Sequence, residues 1–116
     1  MTEQQIQQEI RFALSQGDCR LWRNNTGKLQ AADGRWVDFG LCKGSSDLIG
    51  LRRVVIEPHH VGQTLAVFSA VEVKTPKGRP SADQVQFIST IKNLGGLAGI
   101  ARSVAEANTI INPKGL

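Results

Sequence analysis

Two short stretches bring acid and base side chains to positions where they could act on a substrate: Gly44-Ser45-Ser46-Asp47 and Val71-Glu72-Val73-Lys74. The second lies in the apolar run Leu65–Thr75, which reads as a strand. Side chains alternate faces along a strand, so Glu72 and Lys74 project from one side and Val71 and Val73 face the core from the other. A carboxylate and an ammonium at the end of an apolar strand are costly unless paired or hydrated. Asp47–Ile56 is a second strand, and the polar EPHHVGQT between the two predicts a hairpin with Asp47 beside Glu72 at its open end. Adjacent carboxylates repel, and a divalent cation relieves that repulsion. Hard oxygen ligands with waters completing the shell suit magnesium or manganese. Such an ion polarises a phosphoryl oxygen and acidifies an attacking water, and Lys74 beside it could stabilise the pentacovalent anion or orient the water. A plain cross-strand ion pair of Lys74 with either acid has the same spacing. Spacing alone leaves both readings open.

Two further residues bear on the choice. At about 100° per residue, Glu3 falls on the apolar stripe of Ile6, Ile10, Ala13 and Leu14, whereas Glu9 lies off it. An acid on a buried stripe wants a partner, which a metal site would supply; equally, an acid in a first turn favours the helix dipole. Gln84 also carries two readings. It closes a capping box with Ser81, and it shares a stripe with Ile88 and Ile91 that points at the sheet.

The elements that must position these groups follow from patterning. Thr2 to Ser15 is a helix that Thr2 can cap and Gly17 can end. Cys19–Arg23 and Arg35–Phe39 are short strands separated by turn-prone NNTG and ADG. After the predicted hairpin, PKGRP is a loop, Ser81–Asn93 a helix with Val85, Ile88, Ile91 and Leu94 inward, Leu97–Arg102 a strand and Val104–Ile111 a helix. A helix between two strands implies a crossover and some parallel pairing. The expected fold class is α/β, a mixed sheet flanked by helices, in one domain over residues 1–116.

Composition narrows the classes. The 41% apolar and 21% charged fractions are those of a globular protein and exclude a disordered chain. No apolar run is long enough to span a bilayer, and MTEQQIQQEI has neither a basic nor an apolar signal region, so the expected partners include no membrane. Net charge of +4 favours polyanions. Cys19 and Cys42 form no CxxC pair and are expected as buried, reduced thiols. The adjacent His59 and His60, which on a strand or turn would point different ways, lack further ligands at zinc spacing and read as a polar turn.

Together, Glu3, the Gly27 loop, Phe39-Gly40, the GSSDLIG run of 44–50, Val71–Thr75, Lys77–Ser81, Gln84, Phe87, Gly95-Gly96 and Arg102-Ser103 resemble a VRR-NUC domain. This is the virus-type replication-repair branch of the PD-(D/E)xK nuclease superfamily, and the resemblance runs from about Thr2 to Ile111. It implies a restriction-endonuclease-like core and a DNA endonuclease dependent on Mg2+ or Mn2+. Asp47 and Glu72 would be metal ligands, with the Val73 carbonyl a further one. Lys74 would be the catalytic lysine, Glu3 (or Glu9) the first-helix acid that completes the site, and Gln84 the active-site glutamine. Ser46 stands where the superfamily name has proline, a position that shapes the turn and binds no metal.

The resemblance also bears on substrate and assembly. Related members include the nuclease domain of a Fanconi-associated DNA repair enzyme, and archaeal Holliday-junction resolvases share the fold. Short stand-alone members resemble the resolvases in being homodimers, so branched DNA and a homodimer are expected here, in the cytoplasm, or the host cytoplasm if the chain is phage-encoded. Arg20, Arg23, Lys28, Arg52, Arg53, Lys77 and Arg79 are the expected DNA contacts, and Trp22 and Trp36 read as core residues. The competing reading is a catalytically silent DNA-binding module of nuclease fold. Intact Asp47, Glu72 and Lys74 argue against it.

Overall fold

Thr2 opens the first helix, α1 (Glu3–Leu14), by a reciprocal cap: its hydroxyl accepts from the Gln5 N–H at 3.1 Å, and the Gln5 side chain accepts from the Thr2 N–H at 2.8 Å. The computed structural model describes residues 1–116, which divide into two compact units, Met1–Arg52 and Arg53–Leu116. Both are mixtures of helix and strand, with small sheets flanked by three helices in all.

In the first unit, β1 (Cys19–Arg23) pairs antiparallel with β4 (Leu48–Arg52), and Leu21 lies opposite Gly50. A Cβ on residue 50 would run into the Arg20 carbonyl, so the close approach of these strands requires glycine there. Between them β2 (Gly27–Gln30) and β3 (Trp36–Phe39) form an antiparallel ribbon. Its turn is closed by the Ala31 N–H on the Arg35 carbonyl (2.7 Å), with Gly34 at φ +88°. The sequence pattern shows β3 and misses β2, because GKLQ has no apolar alternation to mark it. Neither strand of the ribbon is buried, and Trp36, expected in the core, is 66% exposed.

Helix α1 also differs from expectation. Ser15, just past its end, accepts from the Leu21 N–H at 2.9 Å and donates to the Leu21 carbonyl at 3.3 Å. With that hook, the polar positions Arg11 and Gln7, one and two turns earlier, are half-buried, while Ile6, Ile10 and Leu14 stay exposed. Glu3 is exposed with them rather than set on a buried stripe.

In the second unit, a single 3-10 turn, Pro58–His60, precedes β5 (Ser69–Val73). Helix α2 (Ala82–Asn93) then leads to β6 (Leu97–Ala101), which pairs parallel with β5, as the crossover pattern predicts. Helix α3 (Val104–Ile111) packs back on β6 and only brushes β5. The two strands expected as a hairpin each find a partner elsewhere, β4 on β1 and β5 on β6. The polar turn at the histidines is present, but their rings do not diverge: the centroids are 4.0 Å apart. The Glu57 N–H donates to His60 Nδ1 at 2.9 Å. Both cysteines are free, Cys19 half-buried and Cys42 exposed. No helix is long and apolar enough to cross a membrane.

The second unit is centred on Ile91 of α2, which is 0% exposed, with Ala98 and Ala101 of β6 also buried. Ile91→Ala should cost about 2–5 kcal/mol in urea unfolding, since it removes a fully buried side chain and leaves a cavity at the centre of the unit. Val85→Ala, on the exposed side of the same helix, should cost far less.

Candidate active site

The parallel ladder decides how β5 presents its functional groups. Its ends are the Leu97 N–H on the Phe68 carbonyl (2.9 Å) and the Lys74 N–H on the Ala101 carbonyl (3.1 Å). Backbone groups alternate direction along a strand, so residues 70, 72 and 74 bond toward β6. The Val73 carbonyl between them points to the opposite edge, free for another partner. Side chains alternate as well. Ala70 and Glu72 share a face with Ala98 and Ile100, and that face meets α2; Val71 and Gly99 share the other, where Ile110 of α3 lies against Gly99. The Val73 side chain, expected in the core, is 74% exposed, because α3 lies over β6 and does not reach the end of β5.

Glu72 lines a cleft of about 260 Å³ with Ala70, Val71, Asp83, Gln84, Phe87 and Ile88. Its carboxylate is half-buried and has no hydrogen bond or ion pair within the unit, so the ordinary ion pair with Lys74 is not formed. A carboxylate in that largely apolar setting calls for a compensating cation. Gln84 reconciles its two roles. Its Oε1 accepts from the Ser81 N–H (2.9 Å) while Ser81 Oγ accepts from the Gln84 N–H (3.1 Å), which leaves the Nε2 donors to the cleft. Asp83 was not singled out by sequence, as a first-turn acid usually serves only the helix dipole. It lines the same cleft.

Past Lys74 the loop turns at the Gly78 N–H on the Thr75 carbonyl (3.0 Å), presenting exposed Lys77 and Arg79. Arg102, at the end of β6, donates to the Gly78 carbonyl at 2.9 Å and so ties this loop down. Sequence reading noted Arg102 without giving it that role, because the contact joins residues distant in the chain.

In the first unit, Asp47 is an exposed carboxylate immediately before β4. Arg23 lines a small polar cleft of about 100 Å³ with Gln4, Gln7, Gln8 and Arg11, a set with no acid in it. The helical spacing 4, 7, 8, 11 was the available signal for Arg11. Lys28 is exposed but lies 3.8 Å from Asp38 across the ribbon, which offsets part of its charge. Arg20 spends its guanidinium on the carbonyls of Gly17 (3.0 Å) and Cys19 (2.7 Å), a structural use.

Within neither unit do three or more His, Cys, Asp or Glu side chains gather. Within the second unit the donors of Glu72 and Val73 are both oxygen, a carboxylate and a strand carbonyl. Oxygen donors of this kind suit a hard divalent cation such as Mg2+ or Mn2+.

A family model, the VRR-NUC domain, matches residues 1–105 of the 116-residue chain. The chain belongs to the VRR-NUC domain family. The match takes in Asp47, Glu72, Lys74 and Gln84 and ends in the first turn of α3. A VRR-NUC domain is a nuclease-type domain of PD-(D/E)xK-like fold, and a nuclease of this kind has DNA as its substrate. Neither the curated proteins nor the solved structures give a match to this VRR-NUC chain.

The division of labour within Gln84 can be tested. Gln84→Glu keeps an oxygen for the Ser81 N–H and removes the amide donors that face the cleft. Its melting temperature should stay within a degree or two of wild type while the rate of DNA cleavage falls about tenfold or more. Equal rates would reduce Gln84 to a helix cap.

Proposed function

We propose that this VRR-NUC domain is a metal-dependent endodeoxyribonuclease selective for DNA structure, acting on branched DNA such as a Holliday junction. The observation that carries the catalytic part is Glu72: a half-buried acid without an ion pair in its unit, in a cleft that Asp83 and Gln84 also line, two residues from Lys74 on the same strand face.

Asp47, Glu72 and the Val73 carbonyl are the ligands. A bound Mg2+ or Mn2+ supplies Lewis-acid polarisation of the scissile phosphate and an acidified water. Lys74 offsets the negative charge that develops on the phosphoryl oxygens, and its Nζ donors can orient the attacking water. Gln84 offers Nε2 to the same cleft. Glu3, or Glu9 on the same helix, would be the first-helix acid that completes the ion's shell, directly or through water. Arg23, Lys28, Lys77 and Arg79 hold backbone phosphates, and each such contact releases counterions on binding.

A 116-residue chain offers few phosphate contacts, and a two-fold homodimer doubles them on a junction that itself has two-fold symmetry. Val54, Ile56, Leu65 and Val67 are all exposed and belong to the second unit, which gives a second copy an aliphatic surface to cover.

Asp47→Ala and Glu72→Ala should each lower Mg2+-dependent cleavage of a labelled four-way junction by at least about a hundredfold and leave gel-shift affinity within a few-fold. Wild-type protein that binds the junction and never cuts it, or Glu72→Ala cutting at the wild-type rate, would sink the catalytic assignment. Light scattering at micromolar concentration should give twice the chain mass, and the junction should show paired nicks on opposing strands. A monomer nicking one strand would remove the dimer and leave the nuclease standing.

A further inference from the structure

Asp47 stands outside the β1–β4 ladder, whose last pair is Arg23 with Leu48. It follows a loop containing two glycines in the left-handed region, Gly40 at φ +91° and Gly44 at φ +82°. Past that pair the strand register continues by a single bond, the Asn24 N–H on the Asp47 carbonyl, and the pairing alone does not hold the loop before it. What fixes that loop is the residue that follows β1. We infer that Asn24 is the positioning residue for Asp47, an inference that rests on the cation site proposed above.

The Asn24 side chain bonds to three points of the loop. Its Nδ2 donates to Ser45 Oγ at 2.6 Å and to the Ser46 carbonyl at 3.0 Å, and its Oδ1 accepts from the Leu41 N–H at 3.0 Å. Its own backbone N–H donates to the Asp47 carbonyl at 2.8 Å. One residue thus holds positions 41, 45, 46 and 47 against the end of β1. Ser45 extends the clamp: its hydroxyl donates to the Cys42 carbonyl at 2.6 Å, and its N–H reaches the same carbonyl at 3.0 Å. Asn24 and Ser45 are half-buried, whereas Asp47 is exposed, so the clamp lies beneath the acid it sets.

The chemistry demands an amide. The position needs two N–H donors and an oxygen acceptor on one short side chain. Aspartate has the length but no donors, and its carboxylate would face the Ser46 carbonyl. Glutamine has the groups on a stem one methylene too long. A ligand held this way is preorganised for a cation, and loosening such a support typically costs 10–100-fold in metal affinity.

The test compares full-length wild type, Asn24→Asp, Ser45→Ala and Asp47→Ala. Mn2+ binding is read by electron paramagnetic resonance without DNA, cleavage is read against Mn2+ concentration, and junction affinity is read without divalent cation. Asn24→Asp should bind Mn2+ about tenfold or more weakly and need correspondingly more Mn2+ for half-maximal cleavage. Excess Mn2+ should recover much of its rate, and its metal-free affinity for the junction should match wild type. Ser45→Ala should shift the same way by less, and Asp47→Ala should not be rescued at any Mn2+ concentration. Should Asn24→Asp fail to fold by circular dichroism, Ser45→Ala decides alone, since it removes one hydroxyl from a loop. A folded Asn24→Asp or, in that case, Ser45→Ala with wild-type Mn2+ dependence overturns the inference and leaves the nuclease reading intact. Wild type that neither binds Mn2+ nor cuts DNA overturns the nuclease reading, and the inference with it.

Discussion

The pairing of β5 with β6 is the constraint from which the chemistry of the second unit follows. In a parallel ladder every second residue commits both its N–H and its carbonyl to the neighbouring strand. With residue 72 committed in this way, Glu72 presents its side chain to α2, and the carbonyl of Val73 is turned to the far edge. A shift of one residue would exchange every role: the valine side chains would enter the cleft, and the carboxylate would lie on the α3 side. Gly99 contributes to holding the register. A Cβ there would lie 2.8 Å from Ile110 Cδ1, so α3 can lie close on β6 only where a glycine stands.

The first unit solves a different problem by similar means. Asp47 is an accessible acid at the end of a loop, and such a residue has little to hold it. Gly50 lets β1 and β4 approach until the Arg20 carbonyl fills the space of a side chain, which brings the end of β1 close to the 44–47 turn. Asn24 then adds, from that strand end, hydrogen bonds to those the loop makes within itself. A short polar side chain can do this because each bond it makes goes to a backbone group or to a hydroxyl already tied to one.

Charge is handled differently on the two surfaces expected to meet DNA. Lys77 and Arg79 extend from a loop pinned by Arg102, so their backbone is ordered while their side chains remain exposed. Lys28 lies on a solvated ribbon next to Asp38 and carries less net positive field than its type suggests. Exposed pairs of this kind contribute about 0–1 kcal/mol and are easily exchanged for a phosphate.

Residue types and local spacing made much of this legible in the sequence. The Thr2 cap, the Ser81 capping box and the parallel β5–β6 crossover depend on residues a few positions apart or on the order of elements. Tertiary structure alone decided the antiparallel partners, because an apolar run specifies a strand without naming its neighbour. It placed β4 on β1, left Trp36 and Val73 exposed where no helix covers them, and turned the polar side of α1 inward beside the Ser15 hook. It also gave Asn24, Arg11 and Arg102 their settings. Those depend on hydrogen bonds and packing between positions far apart in the chain, and no local pattern of residue types encodes such partners.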